Sequence, residues 1–294
     1  MRIANLSGRL SLVVDGLAVD VARASGGTFG PDVQAVYQDF AAFRSWARTA
    51  ALPPGRPFDL RDLGAPAPSP RQLFAIGLNY RDHARESGFT PPPSPAVFTK
   101  FATSITGPVT EVELPDGEVD WEIELVAVIG AGGRGIATGD AWSHVAGLTV
   151  GQDISERVLQ RVGPAPQFSL AKSYPGFTPM GPWLVTPDEF PNPDDVELTC
   201  AIDGELMQKG RSRDLIFPVP ELIAQLSAVL PLLPGDVIYT GTPAGVGMGR
   251  TPQRFLRPGE TLTSSITGIG ELSQSFVSPR PWLLGRGTTV HAPA

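Results

Sequence analysis

The chain has 294 residues, 41% hydrophobic and 18% charged, the composition of an ordinary globular protein with an ample core. At about 100–200 residues per domain, this length gives one large domain or two unequal ones. The 23 basic residues against 30 acidic ones leave a net charge of −7, which argues against nucleic acid as a partner, because its phosphates need a basic face. A single cysteine, Cys200, excludes an internal disulfide and a Cys-rich zinc site. The longest apolar run near the N-terminus, Leu12-Val13-Val14, is too short for a signal-peptide core. No run approaches the ~20 apolar residues of a membrane span. The expected setting is therefore the cytoplasm, with no membrane partner.

In chain order, residues 9–14 and 17–21 flank Asp15-Gly16 and predict a hairpin. Val33, Val36, Tyr37, Phe40 and Phe43 fall at three- and four-residue steps and predict one helix over 32–49. The Pro-rich stretch 64–70 reads as a linker, or as a surface loop within one domain. A small N-terminal α/β domain is accordingly placed at 1–65, a main domain at 66–280 and a tail at 281–294. Beyond residue 70, strands are expected at 73–78, 119–129, 145–150, 196–202, 237–240 and 262–266, with a helix at 220–230. The 33 glycines and 31 prolines, spread along the chain, suit many turns and short strands. Strands and helices do not alternate regularly, so an α+β, β-rich architecture is expected rather than a doubly wound sheet.

Several clusters suggest chemistry. Glu122 and Glu124 lie two apart in a predicted strand and so share a face. Two carboxylates side by side near a core repel each other, and a bound cation relieves that; solvated glutamates on an edge strand are the plain alternative. Asp153, just past the next strand, would make a third oxygen ligand, a set suited to Mg²⁺ or Mn²⁺ and not Zn²⁺. If the segment after Tyr80 is helical, His83 and Glu86 are neighbours at i,i+3, and Glu86 could hold the imidazole as a general base. The alternative is an exposed turn of helix. Lys172, one of only three lysines, could stabilise an oxyanion or simply lie on the surface. The stretch 240–247 could offer backbone N–H groups to an anion or make a tight turn. Gly130-Ala131-Gly132-Gly133-Arg134-Gly135 matches a dinucleotide fingerprint, but no helix opens directly after it.

Taken together, residues 77–86 (G-x-N-Y-x-x-H-A-x-E), 95–100 (P-x-x-F-x-K), 120–125 (D-W-E-x-E-L), 153–157 (D-x-S-x-R), Lys172-Ser173, Gly181-Pro182-Trp183, 234–237 and 240–245 (T-G-T-P-x-G) resemble the fumarylacetoacetate hydrolase family. The resemblance implies that family's mixed β-sandwich roll after a small N-terminal domain, and a homodimer. It implies a divalent metal, Mg²⁺ or Mn²⁺ with Ca²⁺ possible, on Glu122, Glu124 and Asp153. His83, Glu86 and Lys172 take the catalytic positions, and Arg81, Arg157, Gln160 and Thr242 those that line the substrate. Many members carry an acidic residue in a K-S-x-D-x-F pattern; here Pro175 stands in its place. The expected partner is a small 2-oxo or β-diketo acid. The first expectation is metal-dependent hydrolysis of a carbon–carbon bond in an acylpyruvate. Decarboxylation or tautomerisation of a 2-oxo dicarboxylate is the alternative, and a non-catalytic binding protein on the same scaffold is the rival from another class.

Overall fold

A computed structural model describes residues 1–86, 88 and 90–279. The tail expected at 281–294 lies outside these residues. The hairpin at Asp15-Gly16 forms as the sequence predicts. Both residues have positive φ (50° and 77°), the turn whose twist matches that of paired strands, and Val14 pairs with Leu17. Ser7-Gly8 and Asp203-Gly204 make the same kind of turn, joining Arg2–Leu6 to Arg9–Val14 and Glu197–Ile202 to Glu205–Arg211.

The N-terminal hairpin does not stand apart. Arg2–Leu6 pairs antiparallel with Thr178–Val185, so the first strands extend an eleven-stranded sheet. From Thr178–Val185 the sheet continues through Val145–Gln152, Ile123–Ile129, Val237–Tyr239, Leu73–Gly77 and Ala96–Thr99. Tyr37 and Phe43 share a core with Val126, Val128 and Tyr239. The Pro-rich stretch is packed rather than a free linker. Ala65 and Ala67 are buried, and the Tyr37 hydroxyl donates to the Pro66 carbonyl at 2.8 Å.

The helix expected over 32–49 is two pieces, a 3₁₀ turn at Ala35–Asp39 and an α-helix at Phe40–Thr49. Asp39 leaves helical geometry and its carboxylate caps the Ala42 N–H. The predicted apolar residues are nonetheless buried. The long strand expected over 119–129 also breaks. Val119–Asp120 pairs with Ser155–Glu156, and Ile123–Ile129 joins the large sheet.

The second layer is a five-stranded sheet, in the order Glu205–Arg211, Glu197–Ile202, Thr261–Ile266, Gly270–Val277, Val109–Glu113. Ile123, Leu125, Ala127 and Ile129 join its inward residues Leu198, Leu262 and Phe276 in one core. Val126 and Val128 join the other core. Strand Ile123–Ile129 is thus buried on both faces, with Glu124 on the same face as Val126 by the two-residue period. It pairs antiparallel with both neighbours, and the glycine-rich loop after it leads into a 3₁₀ segment at Thr138–His144. A dinucleotide fingerprint, which needs a parallel strand opening into a helix, is thereby excluded.

Candidate active site

Two buried glutamines bend the chain at the start of the central strand. Gln152 Oε1 accepts from the Glu122 N–H at 2.9 Å, and Gln208 Oε1 from the Ile123 N–H at 3.0 Å. Side-chain acceptors thus replace ladder partners where the expected strand is interrupted. The Asp153 N–H in turn donates to the Glu122 carbonyl at 2.9 Å. The result gathers Glu122, Glu124 and Asp153, all buried, with carboxylate oxygens within 4.8 Å of one another.

Charges around this cluster are nearly, but not fully, balanced. Lys172 Nζ donates to Glu122 at 2.8 Å and Asp153 at 2.6 Å. Lys100 Nζ pairs with the other oxygen of Asp153 and with the Phe177 carbonyl. Arg157 bridges Glu122 and Asp120. Four buried carboxylates, Asp120 included, thus face three buried cations. Glu124 has no cation of its own, only the Gly241 N–H at 2.7 Å. Burial, then repulsion from Asp153 and Glu122, pushes its carboxyl well above the usual range. Burial opposes ionisation of Glu122 too, but Lys172 and Arg157 outweigh it and hold that carboxyl low. Burial brings the Lys100 ammonium down to about 8, against the pull of Asp153. An all-oxygen donor set in which one buried carboxyl has no cation partner fits a hard divalent cation, which Glu122, Glu124 and Asp153 would hold.

His83 and Glu86 lie on the short helix Arg81–Glu86. His83 is buried, and its Nδ1 lies 2.9 Å from Glu86 Oε1. The turn into this helix is constrained. Leu78 sits at φ 57°, a region that side chains seldom occupy. Asn79 clamps the turn through bonds to Phe217 N, Phe217 O and Thr240 O. The stretch 240–247 does offer backbone N–H groups to anions, joined by Met248 just beyond it, and the anions are the protein's own carboxylates. Gly241 meets Glu124, Gly245 meets Glu86, and Gly247 and Met248 meet Asp120.

A cavity of about 210 Å³ opens on this cluster. His83, Glu122, Lys172, Arg157, Gln160 and Thr242 all line it. Arg157 is less available than expected: each of its three guanidinium nitrogens already meets Asp120, Gln160 or Glu122. Its bond to Gln160 Oε1 leaves the Gln160 amide nitrogen as the donor for a ligand, and Gln208 bonding to Thr242 Oγ1 leaves that hydroxyl proton free to donate. Arg81 is not brought to the cavity. It is exposed and lines a separate surface cleft with Arg85 and Lys209, because it lies on the opposite side of its helix from His83. Asp120 and Lys100 are site residues the sequence reading left unassigned. Their signal was there: both are polar residues inside matched motifs, and lysine is scarce.

The family model for the C-terminal part of fumarylacetoacetate (FAA) hydrolase matches residues 72–277. The human mitochondrial oxaloacetate tautomerase FAHD2A is 41% identical over 215 residues, covering 72% of this chain and 68% of its own length. A crystal structure of a Mycobacterium smegmatis protein is 59% identical with a TM-score of 0.92, covering 95% of this chain and all of that one. The maleylpyruvate hydrolase of Sphingobium sp. SYK-6, solved with manganese(II) and pyruvate, is 29% identical with a TM-score of 0.75, again over 95% of this chain and all of that one. Among the described residues, no helix is long and apolar enough to cross a membrane.

Proposed function

Because the chain belongs to the fumarylacetoacetate hydrolase family, we propose that it hydrolyses a carbon–carbon bond in a β-diketo acid of the acylpyruvate type. The observation that carries this reading is His83, buried in the wall of the cavity that also reaches Glu122 of the carboxylate cluster and held from behind by the part-buried Glu86. When bound, a divalent metal such as Mg²⁺ or Mn²⁺ supplies Lewis-acid polarisation of the 2-oxo and carboxylate oxygens. Glu86 is fixed by the Gly245 N–H and in turn fixes His83 through Nδ1. That leaves Nε2 as the basic nitrogen. Nε2 takes a proton from water as the water oxygen attacks the remote carbonyl. The Lys172 ammonium and the Gln160 amide are the donors for the oxyanion that forms. Collapse breaks the carbon–carbon bond, and the His83 proton passes to the departing three-carbon fragment, which leaves as pyruvate beside a carboxylic acid. The Thr242 hydroxyl is placed to hold a substrate oxygen.

A second reading is favoured by the human relative, an oxaloacetate tautomerase. Tautomerisation uses the same base at Nε2, but the proton comes from carbon and no water attacks. The deciding experiment supplies Mg²⁺ or Mn²⁺ to the enzyme with a panel of acylpyruvates, oxaloacetate and unsaturated 2-oxo dicarboxylates, and identifies the products. Pyruvate with the matching carboxylic acid is expected. Keto–enol interconversion without cleavage would favour the second reading, and no metal-dependent reaction on any of them would overturn both.

A further inference from the structure

We infer that the group carried at the far end of the substrate is apolar, an alkyl or aryl acyl chain rather than one ending in a second carboxylate. This inference rests on the acylpyruvate reading above. Away from its polar groups, the cavity is walled by Ile76, Leu78, Phe98, Pro166, Phe168 and Met248. The rings of Phe98 and Phe168 meet edge to face, 5.5 Å apart at 73°. Phe168 also lies 3.7 Å from where a Cβ on Gly77 would stand, so the aromatic wall closes directly on backbone. Phe98 is the link to the chemistry, since the Lys172 ammonium sits 5.1 Å from its ring centre.

A distal carboxylate would need a cation or a set of N–H donors in this part of the cavity. The lining supplies three cations, and each already pairs with a carboxylate of the protein. Lys172 is bound to Glu122 and Asp153, and Arg157 to Asp120, Gln160 and Glu122. The third is Arg161. Its Nη2 donates to Glu118 at 3.0 Å and its Nε to the Arg157 carbonyl at 2.9 Å, a tether along its own helix. A substrate carboxylate would have to share that guanidinium with Glu118, whose charge already offsets part of it. An apolar chain meets no such competition and gains about fourfold in binding for each methylene it buries. Glu118 therefore acts as a specificity residue at a distance: it touches no substrate but offsets the charge of the cation a dicarboxylate would use.

The test compares, on the Mn²⁺-loaded enzyme, kcat/KM for acylpyruvates of increasing straight-chain length and for chains of equal length ending in a carboxylate. The expected result is a rise with each methylene until the cavity is full, and a carboxylate-ended chain at least tenfold below its methyl-ended counterpart. Glu118→Ala should narrow that gap several-fold while leaving the methyl-ended substrates unchanged. Adding Arg161→Met to Glu118→Ala should restore the gap. Equal or better turnover of the carboxylate-ended chains by the parent overturns the inference. So does a Glu118→Ala variant with an unchanged gap. If no acylpyruvate of either kind is hydrolysed, the underlying functional reading fails, and binding decides the inference by itself. Thermal shift with 2-oxohexanoate should then exceed that with 2-oxoadipate, and the reverse order overturns it.

Discussion

Arg157 illustrates how the site is held at the scale of single residues. The motif match placed it against substrate, yet its three nitrogens are spent on Asp120, Gln160 and Glu122. Its role is to compensate two buried carboxylates and to orient an amide. Arg157→Met leaves Asp120 without a cation and Glu122 with Lys172 alone, and breaking a buried pair from one side costs about 3–5 kcal/mol. Chemical denaturation should show a loss of that size, whereas a merely substrate-facing arginine would change KM with little effect on stability. Glu124 makes the opposite case, a buried carboxylate without a cation. Metal at about 100-fold its Kd should stabilise the parent by roughly 2.7 kcal/mol, on the order of 5 °C or more in Tm. Glu122→Gln, Glu124→Gln and Asp153→Asn should each remove that metal-dependent shift together with activity. A parent whose melting is indifferent to Mg²⁺ and Mn²⁺ contradicts the assignment.

At the scale of elements, the loop after strand Val237–Tyr239 organises the site. Its successive N–H groups fix Glu124, Glu86 and Asp120. Gly245 is required there: its φ is 107°, and a Cβ would lie 2.3 Å from the Met207 carbonyl oxygen. Gly245→Ala should cost at least the ~1–3 kcal/mol of a strained backbone, seen as a lower denaturation midpoint, and should also loosen the His83–Glu86 pair. The T-G-T-P-x-G pattern made this loop visible in the sequence, though not which anions it holds. The hairpin at Asp15-Gly16 and the Glu122/Glu124 pair were equally legible, because a positive-φ pair and a two-residue period are local signals, whereas Asp153 joined them through its place past a strand end and the motif match. The breaks at Asp39 and at Trp121-Glu122 were not legible. The acceptors that replace the ladder, Gln152 and Gln208, lie 30 and 85 residues from the N–H groups they meet.

For the whole molecule, the five-stranded sheet covers one face of the central strand and residues 35–49 the other, and the cavity opens where Glu122 leads into that strand. The N-terminal strands were expected as a separate unit, but their sequence carries no sign of the Arg2–Leu6 pairing with Thr178–Val185, a contact across more than 170 residues. Val97, Phe101, Val158, Val162 and Leu170 are large apolar side chains left exposed. They belong to the edge strand Ala96–Thr99, to the helices Arg157–Gln160 and Phe168–Ala171, and to their flanks. Apolar side chains on an edge strand and its neighbours favour self-association. We propose a homodimer, for which sedimentation at micromolar concentration should give twice the 31.1 kDa of one chain. A mass of one chain contradicts it.

The central claim is that His83, oriented by Glu86, moves the proton that metal-supported cleavage requires. It is tested most directly by metal-dependent release of pyruvate from an acylpyruvate by the parent, His83→Ala, Glu86→Gln and the double variant, with Mn²⁺ affinity measured on each. Turnover should fall on the order of 10²–10⁴-fold in His83→Ala. The double variant should be little worse, since coupled residues do not add, and Mn²⁺ affinity should be retained throughout. Full pyruvate release by His83→Ala would contradict the account even with the metal site intact.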